Sequence, residues 1–270
     1  MTDFLTTMAA ASRRRMQASR SRHPEAELVR RCHELPSPPA LAWDGFGIIA
    51  EVKRASPSAG PLSAGADALE QAEAYRAGGA SAISVLTEPD RFGGSLTDLA
   101  DVAAGLGSPA VPAMRKDFLV DPYQVLEARA AGAGGVLIIV AMLDDPNLID
   151  LLSCASEQGL FLLLEAFDES DLERAARLAE GVPGQVLIGL NSRDLRTLAV
   201  DPERLRQLAP SFPSGWPRVA ESGLDGQEDA AAVARHGYDL ALVGSALMRS
   251  SRPEVLLAEM LDAGRKAVSG

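Results

Sequence analysis

The chain has 270 residues, 47% of them hydrophobic and 23% charged, which is ample apolar material for the core of one large domain. Its formal net charge of −11 excludes an extended nucleic-acid or anionic-membrane face, because either needs a contiguous basic surface. No run of about 18 apolar residues offers a membrane span. Cys32 and Cys154 lack metal-ligand spacing and read as free thiols of a reducing cytoplasm.

The first 45 residues begin with an Arg- and Ser-rich stretch (Arg13–Arg15, Arg20, Arg22) that no apolar signal core follows. They read as an amphipathic leading helix rather than a targeting peptide. Pro36–Pro39 break this segment, which is too short for a second domain. Residues 1–45 are therefore expected to cap one end of a domain formed by residues 46–270.

Short apolar runs then alternate with helical segments. Gly47–Val52 leads through a Ser/Pro/Gly loop to Asp67–Ala77, Ala82–Leu86 leads to Ser95–Ala104, and Ala110–Met114 to Pro122–Ala131. Gly135–Val140 precedes Asp145–Gln158, and Leu160–Glu165 precedes Glu169–Ala179. Val186–Leu190, Arg218–Glu221 and Leu240–Val243 precede Pro202–Leu208, Gly226–Arg235 and Pro253–Val268 in turn. Many of these helices begin at or just after Asp or Ser, or with Pro in the first turn, and Gly79, Gly132, Gly159 and Gly237 follow as stops. Continuous apolar strands are buried on both faces, as parallel strands are. Eight strand–helix units predict a (β/α)8 TIM barrel of the α/β class. A doubly wound open sheet usually has fewer units and a Gly-rich first turn, G-x-G-x-x-G, which is absent here.

Such barrels place their active site at the C-terminal strand ends. Those positions hold Glu51, Lys53 and Ser56; Arg115, Lys116 and Asp117; Glu165; Asn191, Ser192 and Arg193; Glu221, Ser222 and Gly223; and Gly244 with Ser245. The opposite ends, such as Ala110, Gly135 and Leu160, carry almost no charge. Ile49, Glu51 and Lys53 share one strand face and Ile48, Ala50 and Val52 the other, so the charged face is expected in the lumen. Arg54 falls on the outer face, in a structural role. The chain has 23 arginines but only three lysines, Lys53, Lys116 and Lys266. Lys can be tuned to give up a proton in a buried site, whereas Arg cannot. A local ion pair would explain Glu51 and Lys53 alone. Three carboxylates and two lysines on one rim point instead to an acid–base set with pKa values driven apart.

Glycine-bearing turns at Glu221–Gly223 and Val243–Ala246 follow the last two strands, where barrels commonly bind phosphate through backbone N–H groups. Phe92 and Phe118 follow strands two and three in a chain that is only 4% aromatic, which suggests an apolar slot for a ring. His23, His33 and His236 end no strand, and no His/Cys/Asp cluster has metal spacing. The chemistry is expected to use Lys and Glu, without metal.

The segments IIAEVKRASPSAG, SVLTEPDRFGGS, RKDFLVDPYQVLEARAAGA, IGLNSRDLRT, VAESG and LVGSALMR, in this order from about residue 45 onward, resemble the signature segments of the indole-3-glycerol phosphate synthase family. The resemblance implies conversion of 1-(2-carboxyphenylamino)-1-deoxyribulose 5-phosphate to indole-3-glycerol phosphate, with loss of CO2 and water, in tryptophan synthesis and with no cofactor. It implies Lys116 as the general acid that protonates the ketose carbonyl oxygen on ring closure. Glu165 and Lys53 would support later proton transfers, while Glu51, Asn191 and Glu221 would position these groups. Which of Glu165, Lys53 and Glu51 handles dehydration stays open. Ser222, Gly223, Gly244 and Ser245, with Ser56 nearby, are implied to hold the phosphate, and Lys53 with Arg193 or Asn191 the departing carboxylate. Phe92, Phe118, Leu137 and Leu195 would flank the anthranilate ring. Two departures stand out. Asn191-Ser192-Arg193-Asp194 replaces the family's Asn-Asn-Arg-Asp, and the leader before Trp43, which supplies a lid in the family, shows little likeness. The resemblance implies that the end capped by residues 1–45 is the active-site end. The chain ends after its eighth helix, so the isomerase domain sometimes fused behind the family's barrel is not expected.

The expected partner is a phosphorylated small molecule, not nucleic acid or a membrane. A monomer or weak homo-oligomer is expected, with room for contacts to other tryptophan-pathway enzymes. Among competing readings, a phosphoribosylanthranilate isomerase barrel centres on a Cys/Asp pair, and no cysteine here ends a strand. A non-catalytic paralogue that binds a phosphorylated metabolite would lack a rim Lys or Glu. A secondary-metabolism variant of the same enzyme stays open.

Overall fold

In a computed structural model that describes residues 4–53, 55–56, 60–61, 67–107, 111–193, 195 and 199–269, eight parallel strands close into a barrel. They are β1 (Gly47–Val52), β2 (Ala82–Leu86), β3 (Ala113–Lys116), β4 (Gly135–Ile139), β5 (Phe161–Ala166), β6 (Val186–Asn191), β7 (Arg218–Glu221) and β8 (Leu240–Val243). Each pairs with the next in chain order, and β8 pairs with β1. A short antiparallel ribbon, Ala55–Ser56 with Gly60–Pro61, follows β1. Arg54 and Asp194 lie outside the described residues, as does Ala110 at the expected start of the third strand.

The helices are α1 (Phe4–Arg22), α2 (Glu25–Glu34), α3 (Ala68–Ala77), α4 (Pro89–Phe92), α5 (Leu96–Gly105), α6 (Pro122–Ala130), α7 (Asp145–Glu157), α8 (Glu169–Ala179), α9 (Pro202–Leu208), α10 (Gln227–Arg235), α11 (Ser245–Arg249) and α12 (Pro253–Ser269). Asp67, Ser95, Asp121, Asp144, Asp168 and Asp201 each accept a backbone N–H from the first turn of the helix they precede, as N-caps do. The short helices α4 and α11 were not foreseen, since neither is long enough to show a period.

The third strand differs from its expected span of Ala110–Met114. Pro112 cannot donate to a ladder, so pairing begins after it, and Arg115 and Lys116 continue the strand opposite Val85 and Leu86. Their charge hid them from a hydrophobic pattern.

Alternation along the strands sends Ile48, Ala50, Val52, Leu162, Leu164, Ile188 and Leu190 outward into the layer shared with the helices. Ile49, Met114, Leu137, Leu163, Leu187, Val219 and Leu240 fill the lumen. The register climbs two residues across every second strand. Glu51 pairs with Ser84, and Ser84 with Met114, two residues below Lys116. Equivalent steps lead from Lys116 to Glu165, from Glu165 through Gly189 and Val219 to Glu221, and from Glu221 through Leu242 back to Glu51. Barrels of this type stack their lumen in layers of four residues from alternate strands. Here one layer near the C-terminal mouth is Glu51, Lys116, Glu165 and Glu221, above one that contains Ser84, Leu137, Gly189 and Leu242.

Helix α1 caps the active-site mouth, where Phe4 packs its ring edge on Phe118 at 5.9 Å between centroids. The rest of the extension goes further than a cap. Helix α2 buries Cys32 against Leu126 and Ala130 of α6. Leu41 then joins the lumen cluster, and Trp43 packs against Gly47 at the start of β1, so this segment passes beneath the N-terminal mouth.

Candidate active site

Two ammonium–carboxylate pairs meet at the C-terminal mouth. Lys116 Nζ donates to Glu165 Oε2 at 2.8 Å and lies 3.7 Å from Glu221 Oε2. Lys53 Nζ lies 2.8 Å from Glu51 Oε1. Burial works against the charge on Lys116, but the carboxylates of Glu165, Glu221 and Glu51 outweigh it and raise the Lys116 pKa. The surrounding carboxyl groups thus favour the ammonium form of Lys116.

Glu221 goes the other way for a carboxyl group. Burial, and next the charge of Glu165, push its pKa well above the usual carboxylate range, with Lys116 opposing them. Its side chain is only 1% exposed, beside Lys116 and the carboxyl group of Glu165. The layer therefore contains carboxyl groups in two different environments.

Two glycines make room for this arrangement. Gly189 faces the lumen beside Glu165, and a Cβ there would overlap Glu221 Oε1. A Cβ at Gly244 would come within 2.5 Å of Glu51 Oε1 and 2.9 Å of Lys53 Nζ. Glycine is the residue that permits so close an approach.

Asn191 is buried, and its Oδ1 accepts the backbone N–H of Arg193 at 2.9 Å. Burial lowers the Arg193 pKa while the charge of Glu51 counters it. At the far side, Ser222 (φ 67°) and Gly223 (φ 76°) are both left-handed, and Ser222 is the one described non-glycine residue with positive φ. Backbone held in this region costs of order 1–3 kcal/mol and tends to cluster at ligand sites. The buried Ser192 hydroxyl donates to the Ser222 carbonyl at 3.0 Å and helps to hold the turn.

These groups open onto a cavity of 370 Å³. Glu51, Lys53, Lys116, Glu165, Asn191 and Glu221 line it with Phe92, Phe118, Leu137, Arg193, Leu195, Ser222, Gly223, Gly244 and Ser245. Of the strand-end residues singled out from sequence, Arg115 and Ser192 do not line it, and Ser56 is not placed there because its side chain lies outside what the structure describes. Phe92 and Phe118 pack at 6.3 Å between ring centroids and form an apolar wall. Sequence reasoning missed Phe4, which completes that wall from α1, and Asp225 and Arg249, ion-paired at 2.8 Å on the cavity rim. It also missed Gly189, although a glycine inside an apolar strand is a signal of close approach. Among the described residues no group of three His, Cys, Asp or Glu is arranged to hold a metal, and no helix is long and apolar enough to cross a membrane.

Among solved structures, a 3-hexulose-6-phosphate synthase from Salmonella typhimurium aligns with a TM-score of 0.61 at 12% identity, covering 82% of this chain and 100% of that one. A thiamine phosphate pyrophosphorylase from Pyrococcus furiosus aligns with a TM-score of 0.56 at 17% identity over 82% of this chain and 96% of that one. At such identities the likeness is one of fold. In sequence, an indole-3-glycerol phosphate synthase of Mycolicibacterium smegmatis is 46% identical over 242 residues, covering 88% of this chain and 86% of that protein. Another, from a Nocardioides species, is 49% identical over 216 residues, 80% of each. The family model described as indole-3-glycerol phosphate synthase matches residues 6–260, which corrects the impression that the leader before Trp43 departs from the family. The chain belongs to the indole-3-glycerol phosphate synthase family.

Proposed function

We propose that the four-residue layer Glu51, Lys116, Glu165 and Glu221, with Lys53 above it, is the acid–base apparatus of this indole-3-glycerol phosphate synthase. The observation that carries this reading is the pairing of Lys116 with Glu165 at 2.8 Å at the floor of a cavity with an aromatic wall. The volume of 370 Å³ falls in the range of small-molecule sites. None of the lysines or glutamates that a binding-only paralogue would have lost is missing.

The reaction joins the ring carbon that bears the carboxylate to the ketose carbonyl carbon. As that bond forms, the carbonyl electron pair moves to oxygen, and Lys116 supplies the proton that makes it a hydroxyl. CO2 then leaves, and the electrons of the broken bond restore the aromatic ring. Loss of water needs a proton for the departing hydroxyl and a base for one proton of the methylene carbon next to nitrogen, whose C–H electron pair becomes the new ring double bond while nitrogen keeps its proton. We assign these to Lys53, held by Glu51, and to Glu165. The buried carboxyl group of Glu221 borders Lys116, and Asn191 orients the Arg193 side of the pocket.

Phe92, Phe118, Leu137 and Leu195 flank the anthranilate ring, and Arg193 with Lys53 faces its carboxylate. Ser222, Gly223, Gly244 and Ser245 take the phosphate, with Ser56 as a neighbour. We treat residues 1–45 and 46–270 as one functional domain, acting as a monomer or weak homo-oligomer that leaves surface for other pathway enzymes. Cytoplasmic residence fits the two free cysteines, Cys32 and Cys154.

The test is to mix purified protein with 1-(2-carboxyphenylamino)-1-deoxyribulose 5-phosphate and follow indole fluorescence. Product formation is expected. No product from folded protein that binds phosphate would overturn the assignment.

A further inference from the structure

Helix α1 reaches into the barrel through one side chain. Arg15 Nη1 donates to Glu88 Oε1 at 3.2 Å and Nη2 to Asp117 Oδ1 at 3.0 Å. Both carboxylates are nearly inaccessible, at 0% and 2% side-chain exposure, whereas Arg15 keeps 26%. The barrel's own Arg115 already serves Asp117 and Glu127, each at 3.2 Å. Asp117 thus shares Arg115 with Glu127, and α1 supplies a cation to both Asp117 and Glu88. Buried charges left unpaired are costly, so this contact holds the helix in place.

Each carboxylate that Arg15 grips also fixes the backbone of a ring-bearing segment. Glu88 accepts the N–H groups of Asp90, Arg91 and Phe92 at 3.1, 2.7 and 3.3 Å and so starts α4. Asp117 accepts the N–H of Phe118 at 2.8 Å and the hydroxyl of Thr87 at 2.9 Å. Phe92 and Phe118 form the apolar wall of the cavity, and Phe4, on the same helix as Arg15, packs on Phe118. One guanidinium therefore ties together the three segments that carry the three rings. A lysine ammonium is a point charge and lacks the planar fork that spans two carboxylates.

We propose that Arg15 is a positioning residue that assembles the ring slot from α1, α4 and the turn after β3, and thereby sets affinity for the aromatic half of the substrate. This rests on the functional reading above. It predicts a selective loss, with ring-bearing ligands weakened and the phosphate end unaffected.

The experiment compares wild type, Arg15→Met and Arg15→Lys by direct binding. The ring-bearing probe is indole-3-glycerol phosphate, followed by its own fluorescence, and the ringless probe is ribulose 5-phosphate, measured by competition. Arg15→Met is expected to weaken the ring-bearing probe by about tenfold, the scale of lost aromatic contacts, with ribulose 5-phosphate unchanged. Arg15→Lys should fall between. In turnover, KM should rise in the same order while kcat and its pH profile stay put. Equal weakening of both probes, or no change in either, would overturn the proposal. If Arg15→Met does not fold, as judged by circular dichroism, Arg15→Lys carries the same comparison. Absence of turnover by the wild type would count against the functional reading alone, because the binding comparison does not depend on turnover.

Discussion

The carboxyl group of Glu221 occupies the space that a side chain at Gly189 would fill, one strand away. The acid–base layer thus depends on an absent methyl group as much as on its charged members. Gly189→Ala should force Glu221 aside and destabilise the fold by about 1–3 kcal/mol, the usual cost of overpacking. It should also lower kcat, since the displaced carboxyl group would disturb Lys116, 3.7 Å away. Urea unfolding and steady-state kinetics on the same preparation check both, and a neutral result in both would show that the carboxyl group has room to spare.

Gly244 plays the corresponding part for the other pair. Gly244→Ala should separate Lys53 from Glu51 and reduce kcat/KM by tenfold or more, on the order of the penalty for small misplacements of catalytic groups. Unchanged kcat/KM in the purified variant would mean that the 2.8 Å contact contributes nothing to turnover.

Much of this is legible in the sequence, and for physical reasons. Parallel strands buried on both sides announce themselves as apolar runs, and the period of two placed Glu51 and Lys53 in the lumen beside Ile49. The rim residues of all the odd strands followed from the rule that such sites lie at C-terminal strand ends. The start of β3 and its last two residues were misjudged, because Arg115 and Lys116 carry charge into a strand. Phe4 escaped notice because contacts over more than a hundred positions, such as Phe4 with Phe118, leave no local pattern. The layer itself was invisible until the register was known, since it depends on four steps of two residues around the barrel.

The Ser192 hydroxyl supports the strained turn at Ser222. Ser192→Ala removes one buried hydrogen bond, worth about 1 kcal/mol. The expected result is a roughly fivefold rise in KM with kcat nearly unchanged, because the loss falls on phosphate binding. Isothermal binding of inorganic phosphate to both proteins separates this from a general loss of stability. Equal phosphate affinity would remove Ser192 from the phosphate site.

The raised pKa of Glu221 makes stability depend on pH in a definite direction. A group whose folded pKa exceeds its unfolded value binds its proton more tightly when folded. Its contribution is complete below the unfolded value, about 4.3 for Glu, and is lost as pH rises through the folded value. Glu221→Gln keeps the shape of the neutral acid and cannot ionise. Urea unfolding at a series of pH values should therefore show the wild type losing stability relative to Glu221→Gln as pH rises. Parallel curves would contradict a protonated Glu221.

The central claim is that Lys116, held by Glu165, delivers the proton to the ketose oxygen. The most direct measurement is kcat of Lys116→Met, followed by indole fluorescence at saturating substrate, with folding verified by circular dichroism. Loss of a general acid predicts a fall of about 10²–10⁴ in kcat with KM little changed. Turnover within a few-fold of wild type would contradict the assignment.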